Sequence, residues 1–124
     1  EFRGKTRVEY MLTKGDIKPV PLETNKGRSF NDSFIIVDEA EDATKKELIK
    51  CVTRLGKNST MCFCGDVLQQ DIRGESGLDF ALRLADDEDL QDLWGVVDFN
   101  EHEDIVRSDA VKETIIRLTD MGEM

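Results

Sequence analysis

The chain is poor in the residues that build disulfide frameworks, zinc sites and membrane spans. Its 124 residues include three cysteines and one histidine, too few and too irregularly spaced for a disulfide framework or a four-ligand zinc site. No apolar run approaches the roughly 18 residues of a membrane span, and no signal peptide is recognisable. We therefore expect one small domain in the cytoplasm, whose cysteines are buried, reduced thiols.

Acidic residues dominate the charge of the chain. The net charge is −10 and 35% of the residues are charged, which disfavours indiscriminate binding to nucleic acid because that binding depends on neutralising phosphates. Basic residues at partly helical spacing could still form a local basic face, although a solvated helix explains them equally simply. These residues are Lys45, Lys46, Lys50, Arg54 and Lys57.

The run Phe34-Ile35-Ile36-Val37-Asp38-Glu39-Ala40 carries the most information. A continuous apolar stretch rich in β-branching is typical of a parallel strand that is covered on both faces. Two carboxylates follow directly, and ligands of open α/β sheets lie beyond the carboxyl ends of the strands. The run has the form of a Walker B strand, in which one carboxylate holds Mg²⁺ and the other orients the attacking water. The alternative is that Asp38 caps the next helix.

Apolar spacing predicts strands that alternate with helices, which indicates a parallel α/β sheet. Thr44 and Glu47 form a capping-box pattern at the start of one helix. Strands are predicted at residues 34–37, 60–64 and 93–99, and helices at residues 8–12, from 44 to 56, from 76 or 77, and from about 108.

A second polar motif follows the second predicted strand. Gly65 lets the backbone approach a ligand closely, while Asp66 and then an amide follow on the next loop. An amide such as that of Gln69 suits a γ-phosphate sensor, because it can donate to a phosphate oxygen and accept from the attacking water. Taken alone, Gly-Asp is a turn signal. One helix and one strand after Asp38, however, it is expected at the same edge of the sheet.

Residues 26–112 resemble the PhoH family of P-loop ATPases, which is related to the superfamily 1 helicase core. The matching segments occur in the family's order and near its spacing. They are Gly27-Arg28-Ser29-Phe30, Ile35-Ile36-Val37-Asp38-Glu39-Ala40, Thr53-Arg54-Leu55-Gly56, Gly65-Asp66-Val67-Leu68-Gln69, Ser76-Gly77-Leu78 and Asp104-Ile105-Val106-Arg107. The resemblance implies a RecA-like fold, in which a three-layer parallel sheet is flanked by helices.

The resemblance also implies a role for each matching residue, with ATP and Mg²⁺ as cofactors. Asp38 is the Walker B carboxylate near the metal, Glu39 positions or activates water, and Gln69 is similar to the γ-phosphate sensor. Arg107 matches an arginine that meets nucleotide phosphate in its own subunit or a neighbour's, unless it is merely solvated ahead of a helix. Three more residues match positions near the nucleotide: Arg28, Arg54 and Asp66. Arg54 could instead be a favourable charge at a helix C-terminus.

Three positions depart from the family pattern. Glu41 stands where the family usually carries glutamine, Ser108 where histidine is frequent, and Lys26 where arginine is common. These departures indicate a divergent member, such as a phage-encoded branch.

The phosphate-cradling loop Gly-x-x-x-x-Gly-Lys-Ser/Thr is absent. Gly4-Lys5-Thr6 ends like one, but its strand and first glycine would precede residue 1, and the spacing to Asp38 is too short. We therefore expect residues 1–124 to be the C-terminal portion of a PhoH-like P-loop NTPase domain, with little ATPase activity of their own. The chain would form homo-oligomers or pair with an N-terminal half, and RNA or single-stranded nucleic acid is a possible partner. The alternative is a non-catalytic binding or regulatory module.

Overall fold

The computed structural model describes residues 4–22, 27–69 and 73–123, without the side chains of Gln69 and His102. Within these residues the chain forms a small α/β unit of four α-helices and two strands. In chain order they are α1 (Gly4–Lys14), β1 (Phe34–Val37), α2 (Lys45–Val52), β2 (Thr60–Phe63), α3 (Gly77–Asp86) and α4 (Asp109–Asp120). Short 3₁₀ turns lie at Ala40–Asp42, Val67–Gln69, Glu88–Leu90 and His102–Asp104.

The two strands are parallel and in register, from Phe34 opposite Thr60 to Val37 opposite Phe63. Helix α2 lies between them in the chain, which is the crossover that a parallel pair requires. The predicted α/β class and both of these strands are therefore confirmed, although β2 ends one residue earlier than expected. The third predicted strand is wrong, because residues 93–99 have no regular secondary structure. Pairing needs a neighbouring strand, and the described part of the chain provides none for this segment.

One face of the sheet builds the core. Val37 packs with Ala40 and Leu78, and the half-buried side chains of Leu22, Ile35, Met61 and Phe63 lie against this cluster. On the opposite face Phe34 and Ile36 are 69% and 64% exposed. The strands therefore have a buried face and an open face, whereas their continuous apolar sequence predicted cover on both.

Helices α2 and α3 pack against each other, and both begin with a capping box. The hydroxyl of Thr44 accepts a hydrogen bond from the Glu47 N–H at 3.1 Å, and the Glu47 carboxylate accepts one from the Thr44 N–H at 2.9 Å. Ser76 and Asp79 repeat this arrangement at the start of α3. The capping box predicted for α2 is confirmed. The helix itself ends at Val52, before the predicted Gly56, because the chain turns so that Leu55 can pair with Phe30 in a parallel bridge.

Helices α1 and α4 contain no buried residue among those whose burial the structure describes. Helix α1 extends the predicted segment 8–12 in both directions and ends at Lys14. Gly15 follows, and its φ of +91° is a conformation that glycine adopts without strain. Helix α4 begins after Ser108, near the predicted start, but without a side-chain cap hydrogen bond. Within the described ranges, no helix has both the length and the apolar character needed to cross a membrane.

Candidate functional site

The segments that follow β1 and β2 meet at the carboxyl ends of the two strands. The Cys64 N–H donates to the Val37 carbonyl at 2.9 Å, and the Ala40 N–H donates to the Cys64 carbonyl at 2.9 Å. These two hydrogen bonds continue the parallel ladder beyond both strands. They bring Asp38 and Glu39 beside Cys64 and Gly65, as the order of the two sequence motifs predicts.

Asp38 and Glu39 are both exposed at this edge. One oxygen of the Asp38 carboxylate accepts a hydrogen bond from the Glu39 N–H at 2.9 Å. Glu39 adopts the left-handed conformation, with φ 52° and ψ 43°, and leads into the 3₁₀ turn Ala40–Asp42. Residues other than glycine rarely adopt it, and such residues are concentrated at ligand sites. The sharp turn leaves both carboxylates open to solvent and therefore accessible to a ligand.

The loop after β2 is shaped by Asp66. Its Oδ1 accepts a hydrogen bond from the Leu68 N–H at 2.9 Å, an Asx turn that starts the 3₁₀ turn Val67–Gln69. The backbone of Gln69 closes this turn, six residues after the end of β2. The predicted contact of its side chain with the γ-phosphate falls outside the described residues and stays a prediction.

Glu41 is a buried residue that the sequence marked only as a departure from the family pattern. Its exposed fraction is 7%, and within the described part of the chain its Oε2 is buried without a hydrogen-bond partner. The side chain lies against Gly65, where a Cβ would overlap the carboxylate and would touch Leu78 at 3.0 Å. Gly65 therefore permits the loop after β2 to pack directly onto the turn that follows Asp38. Glu41 was not predicted to be buried, because a carboxylate is rarely placed in a core.

The three arginines matched by resemblance lie on segments other than the two that meet at this edge. Arg54 follows α2, and its carbonyl accepts a hydrogen bond from the Phe30 N–H at 2.8 Å. Because Phe30 precedes β1, this backbone pairing lies at the amino ends of the strands, opposite Asp38. Arg28 is an exposed residue two positions before Phe30, and Arg107 is exposed just before α4. The phosphate contacts assigned to these side chains stay predictions.

The cysteines differ from the expectation of buried thiols. Only Cys51 is buried, whereas Cys62 and Cys64 are exposed thiols whose sulfurs lie 3.8 Å apart. Cys62 and Cys64 lie on the same face of the strand, because alternate residues of a strand point to the same side. The predicted burial of these two thiols was wrong, because no described element covers that face. The hydrogen bond with Cys62, together with desolvation and the charges of Cys62 and Asp38, raises the pKa of the Cys64 thiol above its usual value.

The donor at this edge that a Mg²⁺ ion could use is the Asp38 carboxylate. Mg²⁺ keeps several waters and is commonly held by one or two carboxylates together with substrate phosphates, and Asp38 offers such a carboxylate. No cluster of three or more potential metal ligands occurs among residues 4–22, 27–69 and 73–123. A cation here would therefore depend on phosphate and water for most of its ligands.

Comparison with known proteins identifies the family. The family model for PhoH-like proteins matches residues 1–119. A PhoH-like protein of Synechocystis is 32% identical over 93% of this chain and 34% of its own length. Protein PhoH of Escherichia coli K12 is 36% identical over 90% of the chain and 32% of its own length.

A PhoH-like protein of Mycobacterium tuberculosis H37Rv is 34% identical over 85% of the chain. The chain spans about a third of the length of these curated relatives. No solved structure matches it. The match of the family model over nearly the whole chain shows that this protein belongs to the PhoH-like family.

Proposed function

We propose that the chain forms the Walker B part of an ATP-hydrolysing site in a PhoH-like protein. The observation that carries the proposal is the junction of β1 and β2, where hydrogen bonds place Asp38 and Glu39 beside the Gly65-Asp66 loop. This edge is where open α/β sheets bind ligands. The complete domain would be a RecA-like, three-layer parallel sheet, of which residues 1–124 are the C-terminal portion.

The exposed carboxylates of Asp38 and Glu39 would have different roles. Asp38 would hold Mg²⁺ directly or through its water shell, and the ion would neutralise charge on the β- and γ-phosphates. Glu39, turned by its left-handed backbone, would orient the attacking water and accept its proton. Loss of the Asp38 carboxylate would then mainly affect Mg²⁺–ATP binding, whereas loss of the Glu39 carboxylate would mainly affect kcat.

The remaining site residues would act around this pair. Gln69 would sense the γ-phosphate, and Asp66 would fix the loop that carries Gln69 through its hydrogen bond to the Leu68 N–H. Arg107 would reach phosphate in its own or a neighbouring subunit of a homo-oligomer. Arg28 and Arg54 would need side chains that reach across from the amino ends of the strands, or a neighbouring subunit.

We also propose RNA or single-stranded nucleic acid as the partner whose remodelling ATP hydrolysis would drive. The support is the family resemblance to helicase cores. The cytoplasm is the proposed compartment, since Cys51, Cys62 and Cys64 are all thiols and a reducing environment keeps them so.

The test compares carboxylate variants in a polypeptide that joins this chain to a phosphate-binding loop on its N-terminal side. Asp38→Asn should weaken Mg²⁺–ATP binding, because it removes a negative charge from the metal site. Glu39→Gln should leave binding intact and lower kcat by about 10²-fold or more, as expected for loss of a general base. Asp42→Asn is the matched control, because Asp42 is exposed on the same turn and has no assigned role.

Three results would contradict the proposal. The first is ATP turnover by the Glu39→Gln variant at the parental rate, and the second is an equal loss for Asp42→Asn. The third is robust hydrolysis by residues 1–124 alone that Glu39→Gln abolishes, since it would require a phosphate site within this chain.

A further inference from the structure

Cys62 and Cys64 form a thiol pair on the open face of the sheet. They are separated by one residue of extended backbone, so both side chains point to the same side. Their sulfurs lie 3.8 Å apart, and both residues are exposed. The same face carries Ile36, which pairs across the strands with Cys62. The pair is thus held by the strand ladder and is open to solvent.

The geometry suits a bridging ion better than a disulfide. Alternate residues of a strand have Cα atoms about 6.6 Å apart, which is near the upper limit of the range that disulfides span. A disulfide would also shorten the sulfur separation to about 2.05 Å. Two thiolates bound to one tetrahedral Zn²⁺ with bonds of about 2.3 Å lie about 3.8 Å apart. The observed separation needs no backbone movement to accept such an ion.

The chemistry of the two donor atoms decides which cation fits. Hard cations such as Mg²⁺ prefer oxygen, whereas soft thiolates select ions such as Zn²⁺ and Cd²⁺.

We propose that Cys62 and Cys64 form a two-thiolate site for a thiophilic divalent ion of the Zn²⁺ class. On binding, each sulfur forms one bond to the metal and releases its proton to solvent. Water completes the coordination on the open side. This site is separate from the proposed ATPase function and requires neither nucleotide nor a phosphate loop.

The experiment titrates the intact chain with Cd²⁺ and follows the ultraviolet charge-transfer absorbance of cadmium–thiolate bonds. One ion should bind per chain, and Zn²⁺ should remove the band by competition. Cys62→Ser and Cys64→Ser should each weaken binding at least about tenfold, since each removes one of two thiolates. Cys51→Ala is the matched control, because Cys51 is buried on α2 and should leave the titration unchanged.

Circular dichroism of each variant separates loss of the site from loss of the fold. Three outcomes overturn the proposal. The first is an absent charge-transfer band at excess Cd²⁺ in the folded parental chain. The second is an undiminished band in the Cys62→Ser and Cys64→Ser variants. The third is a stoichiometry of one ion per two chains with dimer formation, which would show that the sulfurs bridge two molecules.

Discussion

The segment from β1 to α3 and the two flanking regions of this chain both contain apolar residues, but they differ in how many of those residues are buried. Among the residues whose burial the structure describes, every buried one lies between Val37 and Ala81, in the segment that runs from β1 to α3. The flanks, α1 and residues 88–123, contribute none to that set. In the second flank Val97 and Val106 are 81% and 92% exposed. Apolar residues alone therefore do not make a core, since each needs an opposing surface.

The flanks show which secondary structure the local sequence can form without an opposing surface to pack against. Helix α4 forms at the position that its apolar spacing predicts, yet it has no buried residue. The segment 93–99 has the apolar character of a strand, but the residues that the structure describes place no strand beside it. Trp94 of this segment stacks on Phe63, with ring centroids 6.1 Å apart. Large exposed apolar patches mark interaction sites. Homo-oligomerisation, or pairing with an N-terminal half, stays the prediction for how the segment 93–99 is covered.

Removing a core side chain should cause the largest loss in the free energy of unfolding. Leu48 on α2 is 1% exposed, so Leu48→Ala should lower the free energy of unfolding by about 3 kcal/mol through lost burial and a cavity. Val97→Ala in the flank should change it by less than about 0.5 kcal/mol. Urea denaturation of both variants tests the difference. Equal losses would show that the segment 93–99 is packed in solution.

The close contact between Gly65 and Glu41 predicts the next largest effect. Gly65→Ala should destabilise the fold by about 1–3 kcal/mol, because its Cβ overlaps the buried carboxylate. Gly95→Ala is the control in the flank, since nothing lies within 4 Å of a Cβ there.

A double-mutant cycle identifies the cause of that loss. Glu41→Ala makes room for the new methyl group, so Gly65→Ala should cost less in a Glu41→Ala background than in the parental chain. Chemical denaturation of the four proteins measures the coupling. If the stability losses of the two single variants simply add in the double variant, the loss caused by Gly65→Ala does not come from its contact with Glu41.

Helix capping gives a smaller contrast between the two regions. The hydroxyl of Ser76 accepts a hydrogen bond from the Asp79 N–H at 3.1 Å, so Ser76→Ala should lower stability by about 1 kcal/mol. Ser108 occupies the same position before α4 without a side-chain cap hydrogen bond, and Ser108→Ala should have almost no effect. Thermal unfolding compares the two variants, and a larger loss for Ser108→Ala would contradict the structure.

The sequence predicted best what depends on neighbours in the chain. The Thr44–Glu47 capping box, strand β1 and the meeting of Asp38 with the Gly65 loop follow from local patterns and from the rule that parallel strands end at one edge. The failures involve contacts between distant residues. The burial of Glu41 depends on where Gly65 lies, and the exposure of Cys62 depends on whether another element covers its face. The spacing of apolar residues along the sequence contains no information about either of these contacts.

The smallest expected effect belongs to the exposed ion pair between Glu75 and Arg83. Both guanidinium contacts go to the Glu75 carboxylate, one of them at 2.8 Å, and the hydrogen bond from Arg83 holds the Glu75 pKa below its usual 4.5. Because the folded state lowers this pKa, the pair stabilises the protein above the ordinary glutamate pKa and loses that contribution as the pH falls through the folded value.

Glu75→Gln should therefore lower Tm near pH 7, but by less than Ser76→Ala does, since exposed pairs contribute little. Near pH 3 the Tm difference between parent and variant should shrink. Glu113→Gln, at an exposed position of α4, is the control with no expected pH-dependent difference. Thermal melts at the two pH values measure both variants. A loss for Glu75→Gln that persists unchanged at low pH would mean that the side chain stabilises α3 by packing and not by its charge.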